Sequence, residues 1–248
     1  YPFSLTTGRL RDQWHGMTRT GTLGRLFGHV AEPAVELHPQ ELERLKLQPG
    51  DLVHVTSRRG SIVLPVQPSE AMAPAQAFIA MHWGEEYLGG STGNGTRSAG
   101  INALTTPAFC PSSKQPELKH AAVKILKAEL PWQLLALAWL PAAEALRARE
   151  QLRPLMDSFT YAACVPFGRE PAEHVGLLLR AAAYDAAPDA VIERIEAALG
   201  LNGKETLRYA DRKRGQRRAM RLVSSGAEPF GTSGRSGVFS GGGGGPSA

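Results

Sequence analysis

Between positions 6 and 21 the chain reads T-T-G-R-L-R-D-Q-W-H-G-M-T-R-T-G, with four threonines, three arginines, one Gln, one His and one Trp. Donors at this density suit an anion or a heterocycle better than a hydrophobic core. Gly8 lets the backbone approach a ligand closely. Thr6, Thr7, Arg9 and Gln13 offer hydrogen bonds suited to phosphate or to ring carbonyls. Trp14 and His15 add flat surfaces and a ring N–H. The pattern is not a P-loop, because G-x-x-x-x-G-K-S/T is absent, and it is not a Rossmann fingerprint. Taken alone, the stretch also reads as an ordinary polar loop, so its context decides.

The elements that must position this loop are mainly β in the first half. Phe3 and Leu5 alternate with polar neighbours, and P-A-V-E-L is a second short strand. H-P-Q-E-L-E-R-L-K-L reads as a short helix with Pro39 at its first position. Two apolar runs, over Leu52–Val55 and Ile62–Val66, flank S-R-R-G and predict a hairpin. Q-A-F-I-A-M-H-W is one more strand, ending in His82 and Trp83. Residues 84–101, rich in Gly, Ser and Thr, predict a long loop of the kind that often carries function. Residues 117–127 return to strand or short helix.

Beyond about Pro131 the pattern changes. W-Q-L-L-A-L-A-W-L reads as a buried strand or a helix, and P-A-A-E-A-L-R-A-R-E-Q-L-R-P-L-M as a helix. F-T-Y-A-A-C-V-P-F and H-V-G-L-L-L-R-A-A-A-Y are strands. A helix over P-D-A-V-I-E-R-I-E-A-A-L-G ends at Gly200. E-T-L-R-Y-A-D and Q-R-R-A-M-R-L-V read as two closing strands. This order predicts a small ferredoxin-like α+β unit over 131–223. Residues 224–248 carry nine Gly and six Ser, which predicts a disordered tail.

With 248 residues and 42% hydrophobic content, the chain can build one or two compact domains. Cys110 and Cys164, its two cysteines, form no C-x-x-C pair, so a zinc ribbon or an iron–sulfur cluster cannot be built from this chain alone. Low cysteine usage fits a reducing compartment. The absence of a long apolar run and of a signal peptide gives a cytoplasmic, non-membrane expectation. Opening directly on a strand at Tyr1, the chain reads as part of a longer protein. The basicity is local: R-Y-A-D-R-K-R-G-Q-R-R-A-M-R at 208–221 holds seven basic residues and one acid, leaving the rest of the chain at −1 of a net +5. With only Tyr209 aromatic nearby, this run reads as a solvated or docking face and argues against a nucleic-acid site.

Downstream of the donor loop stand P-x-E-L-x-x-L-x-L-x-x-G-D-x-V-x-V-x-S-R-R-G, then A-F-I-A-M-H-W, then N-A-L-T, then P-S-S-K-Q-P-E-L-K. This ordered set resembles the C-terminal molybdopterin-dinucleotide-binding domain of the molybdopterin oxidoreductases. The resemblance covers residues 1–127 and implies a six-stranded double-psi β-barrel. Residues 128–222 resemble the segment that follows this domain in bacterial assimilatory nitrate reductases.

The resemblance implies a cofactor-binding role for Thr7, Gly8 and Arg9, which match the T-G-R that lines the dinucleotide. Gln13, His15, Thr18 and Thr20 fall in the loop that approaches the cofactor near the metal. His82 and Trp83 match a strand end that faces the cofactor, and Asn102 a position bonding a pterin or nucleotide edge. Ser113, Lys114 and Lys119 match the closing polar segment. From the residues alone, Trp83 reads equally as barrel packing and Lys119 as a surface charge. Cys110 lies in the closing loop, and the family's metal ligand comes from an earlier domain, so no metal ligand and no catalytic residue is assigned within this chain.

The implied cofactor is molybdopterin guanine dinucleotide with molybdenum, with a 4Fe–4S cluster elsewhere in the full-length enzyme. The implied partners are the remainder of the molybdoenzyme, a small anionic substrate, and an electron donor: ferredoxin, flavodoxin or an NADH-linked subunit. The implied reaction is nitrate reduction to nitrite, with the fragment inactive by itself. A formate dehydrogenase uses the same barrel. A stand-alone nucleotide- or pterin-binding module without redox chemistry is the alternative from a different class.

Overall fold

The structure, a computed structural model, describes residues 1–91, 97, 100–168 and 174–201, together with the backbone of 218–223. The first half contains β1 (Phe3–Gly8), β2 (Val35–Leu37), α1 (Pro39–Arg44), β3 (Leu52–Thr56), β4 (Ser61–Pro68), β5 (Gln76–Ala80), β6 (Leu88–Gly89) and β7 (His120–Lys127). The second contains β8 (Trp132–Pro141), α2 (Ala142–Met156), β9 (Tyr161–Phe167), β10 (His174–Ala183), α3 (Asp189–Ala198) and β11 (Arg218–Val223).

Six strands close into a barrel in the order β1-β5-β2-β4-β3-β7. The pairs β1–β5 and β2–β4 are parallel, and the other pairings are antiparallel. Side chains alternate between faces along a strand, so the apolar positions of period two supply the interior. Phe3 and Leu5 of β1, Val53 and Val55 of β3, and Val123 and Ile125 of β7 are all buried in one cluster. The expected S-R-R-G hairpin joins β3 to β4. Its Ser57 hydroxyl accepts the N–H groups of Arg59 at 3.0 Å and Gly60 at 3.4 Å, which closes the turn locally. Pro39 opens α1 as expected, and His38 Nδ1 accepts the Gln40 N–H at 3.2 Å as the cap.

Strand direction brings distant segments to one end of this barrel. In the parallel β1–β5 pair Gly8 stands opposite Ala80, so both strands leave the barrel on the same side. The antiparallel β1–β7 pair sets Thr6 opposite His120, so Lys119 enters β7 on that side as well. The donor loop, the segment around His82 and the Leu118–Lys119 segment therefore meet there.

The second sheet has the order β11-β8-β10-β9-β6. β10 runs antiparallel to both β8 and β9, so the α2 crossover joins two parallel strands with a third between them, a split βαβ arrangement. β11 lies beside β8 and parallel to it. Ala162 and Cys164 of β9, with Leu177, Leu179 and Ala181 of β10, face α2 and α3 in one core. The alternate positions Tyr161, Ala163, Val165 and Ala182 join the barrel-side core. The sheet thus packs on both faces.

Two details depart from the pattern read along the chain. β5 stops at Ala80, so His82 and Trp83 occupy the turn after the strand rather than its end. The stretch expected to be a plain loop contains β6, whose Leu88 and Gly89 pair with Ala163 and Ala162 and extend the second sheet. Only glycine fits at position 89, because an added Cβ would lie 2.7 Å from Met156 Cβ. The E-T-L-R-Y-A-D strand, residues 208–217 of the basic run and the 224–248 tail lie outside the described residues.

Candidate functional site

The backbone of residues 9–27 crosses the barrel end with little regular structure. Turn hydrogen bonds shape it, including Met17 N–H to Trp14 O at 2.8 Å and Gly21 N–H to Met17 O at 2.7 Å. His15 and Met17 adopt left-handed backbone conformations with φ of 46° and 62°. Such values are uncommon for non-glycine residues, so surrounding contacts must hold them. Met17 is buried, which anchors the crest of the loop to the barrel-side core.

The polar residues of this region divide into two groups by the direction they face. Thr7, Gln13, His82 and Trp83 turn inward. Thr7 continues the inward row of β1, and its hydroxyl donates to the Leu118 carbonyl at 2.6 Å, tying β1 to the entry of β7. The Gln13 amide donates to the Leu26 carbonyl at 3.3 Å and accepts from the Thr20 hydroxyl at 2.5 Å, cross-bracing the loop. His82, at 1% exposure, accepts the Leu10 N–H on Nε2 at 3.1 Å and bonds the His15 carbonyl through Nδ1. That pairing selects the neutral tautomer with the proton on Nδ1. The Trp83 indole packs with Phe27 and Tyr87, ring centroids 6.1 and 6.0 Å away. The resemblance implied ligand contacts for Gln13, His82 and Trp83. In the structure their polar groups and surface hold the loop, since buried polar groups require partners and the loop carbonyls are within reach.

The second group faces out. Arg9, His15, Thr18, Asn102, Ser113, Lys114 and Lys119 are exposed. The Arg9 guanidinium lies 5.5 Å from the centre of the Trp14 ring, which is itself 50% exposed, so cation and aromatic plate form one surface. His15 meets the same ring edge-on at 4.6 Å. Lys119 Nζ reaches Met81 Sδ at 3.5 Å, beside the His82 turn. Asn102 is tied to the same turn through the chain, as the N–H of its neighbour Ile101 bonds the Trp83 carbonyl at 3.2 Å. Ser113 and Lys114 sit on a separate loop closed by the Phe109–Pro116 bridge. Their contacts there are local: the Lys114 ammonium over the Phe109 ring, and a Ser113 hydrogen bond that lowers the Cys110 thiol from its ordinary value.

The electrostatics favour an anion. Hydrogen bonding from Arg11, at 2.8 and 2.9 Å, holds the Asp12 carboxyl below the usual carboxylate range, so the one acid of the loop is paired within it. Arg9, Arg19 and Lys119 then leave the surface cationic. Gly8 packs its backbone tightly on the Phe78 ring: an added Cβ would lie 2.7 Å from Phe78 Cε2. Guanidinium and ammonium groups around an aromatic plate and a glycine elbow suit a phosphorylated heterocycle. Among the described residues no group of three or more His, Cys, Asp or Glu is placed to hold a metal ion. None of the described helices is long and apolar enough to cross a membrane.

Residues 3–122 match the model of the molydopterin dinucleotide binding domain. The chain is 37% identical over 158 residues to a nitrate reductase of Klebsiella oxytoca, covering 64% of this chain and 16% of that protein. It is 44% identical over 125 residues to a nitrate reductase of Synechocystis, covering 50% and 16%. It is 37% identical over 125 residues to a formate dehydrogenase subunit alpha of Methanocaldococcus jannaschii, covering 50% and 17%. The chain thus spans about one sixth of the length of these relatives. Residues 3–122, which run through the barrel from β1 into β7, thus form a molydopterin dinucleotide binding domain.

Proposed function

We propose that this chain is the part of a nitrate reductase that grips molybdopterin guanine dinucleotide, with Arg9 as its principal phosphate contact. The observation that carries the reading is the outward cationic surface of Arg9, Trp14 and Lys119 beside the Gly8 elbow, with the loop acid already paired to Arg11. Arg9 and Lys119 would hold the pyrophosphate by charge-assisted hydrogen bonds. Trp14 and His15 would lie against a ring, and Asn102 would bond a heterocycle edge. Thr18, Ser113 and Lys114 extend the polar rim. Thr7, Gln13, Thr20, His82 and Trp83 hold the loop so that these contacts need no reorganisation on binding.

When bound, the molybdenum cofactor supplies the two-electron oxygen-atom transfer that converts nitrate to nitrite. The metal ligand, a 4Fe–4S cluster and the docking site for an electron donor (ferredoxin, flavodoxin or an NADH-linked subunit) belong in this reading to the remainder of a cytoplasmic enzyme. The choice of nitrate over formate rests on extent. The 158-residue alignment to the Klebsiella nitrate reductase reaches further along the chain than the 125-residue alignment to the formate dehydrogenase.

The test is Arg9→Ala in the full-length enzyme, read as molybdenum per polypeptide. Loss of a charge-assisted contact of about 1.5–3 kcal/mol should lower occupancy clearly when cofactor is limiting. Wild-type molybdenum content in the variant would exclude Arg9 as a cofactor contact. Full-length enzyme that reduces formate-linked dyes but not nitrate would reverse the substrate assignment.

A further inference from the structure

The donor loop is not held by the barrel alone. Helix α2, from the other half of the chain, presents Arg149 and Arg153 one turn apart. Arg149 Nη1 donates to the Gly21 carbonyl at 2.9 Å, and its guanidinium lies 4.5 Å from the centre of the Tyr87 ring. Tyr87 in turn fixes Gly21 sterically, since a Cβ added there would fall 1.8 Å from Tyr87 Oη. Arg153 pairs with Glu85, two residues before Tyr87. Gly21 closes the donor loop through its own N–H bond to Met17 O. The contact therefore runs from α2 through Arg149 and Tyr87 to Gly21, and from Gly21 back to the strained crest at Met17.

We propose that Arg149 is a positioning residue for the donor loop: by clamping the Gly21 carbonyl against Tyr87, it sets the geometry in which Arg9, Trp14 and His15 meet an anionic ligand. This inference rests on the proposed ligand reading for its consequence but not for its mechanism. A flat cation is required, because it must donate to a carbonyl at its edge while its face covers an aromatic ring. Lysine satisfies the first demand and not the second. The clamp gives the second half of the chain a task at the binding surface of the first, although no residue of α2 stands among the outward-facing donors.

The experiment uses the 248-residue chain, with amide hydrogen exchange over residues 14–21 and binding of guanosine diphosphate as probe. Arg149→Met should speed exchange at Met17, Thr20 and Gly21 by about tenfold, while the β3 and β4 amides stay unchanged. It should weaken the probe by about three- to tenfold, and Arg149→Lys should restore part of both. Gly21→Ala leaves α2 intact and pushes the loop off Tyr87, so it should speed exchange at the same amides. If Arg149→Met loosens β8–β10 as well, the Gly21→Ala result decides. Exchange within twofold of wild type in the locally folded variant, or faster exchange with undiminished probe binding, overturns the proposal. Failure of the unaltered chain to bind the probe would instead sink the ligand reading, and the exchange data would still judge the clamp.

Discussion

Replacing His82 with leucine separates two roles that one histidine can play, ligand contact and internal brace. Leucine is apolar and of similar bulk, so the barrel end stays filled while both ring nitrogens are lost. The Leu10 N–H then loses its acceptor at 3.1 Å, and the His15 carbonyl loses its donor. A hydrogen bond contributes about 1 kcal/mol net, and a group left without a partner costs about 1–3 kcal/mol. Leu10 is half-buried and His15 exposed, so water reaches the second group more readily than the first. The sum is about 2–3 kcal/mol. For a chain of this size each kcal/mol moves the melting temperature by about 2–4 °C, which gives a drop of roughly 4–12 °C. Thermal melting without ligand reads this directly, and amide exchange at Leu10 localises it. A melting temperature within about 1 °C of wild type, coupled with lost cofactor, would refute the brace and return His82 to the ligand-facing surface.

Two further outcomes follow from contacts between the halves of the chain and within the second core. Arg180 of β10 reaches across to the barrel side, donating to Glu32 Oε1 at 3.0 Å and to the Gly50 carbonyl at 3.1 Å. The pair is about one quarter exposed on each side, so its coupling is reduced by solvent. Arg180→Met should destabilise by about 2 kcal/mol, and a double-mutant cycle with Glu32→Gln should return about 1 kcal/mol. Additive effects would show that the ion pair contributes nothing. Burial raises the Cys164 thiol from 9.0 to about 11. The unfolded chain therefore releases this proton first, and stability falls as pH rises from about 9 to about 11, by up to about 2–3 kcal/mol. The difference in stability between wild type and Cys164→Ala should change over that window and be flat below it. Parallel pH curves would show that the thiol ionises equally in both states.

Most of the secondary structure is legible along the chain, for reasons visible in particular residues. The β3–β4 hairpin is announced by period-two apolar residues, Val53 and Val55 before S-R-R-G and Ile62, Leu64 and Val66 after it, and α1 by Pro39 at its first turn. β6 is not legible, because two residues inside a run of glycines and polar residues carry no period. The donor loop is recognisable as chemistry, but the division of its side chains into inward and outward groups is not. Threonine, glutamine and histidine offer the same hydrogen bonds to a ligand as to a neighbouring carbonyl. Arg149 and Arg180 leave no trace either, since a charged residue on a helix or strand looks the same whether it meets solvent or a partner more than a hundred positions away.

By itself, then, the sequence determined which residue types were available and how each short segment would fold, because propensity and periodicity act between near neighbours. It also placed the glycine elbow and the donors together at one chain position. Tertiary structure decided which of those donors remain free. The parallel β1–β5 pairing and the entry of β7 bring His82 and Leu118 against the loop, and α2 brings Arg149. A buried donor must find an acceptor wherever the fold provides one, so only the assembled molecule separates the groups that hold the loop from those that face outward.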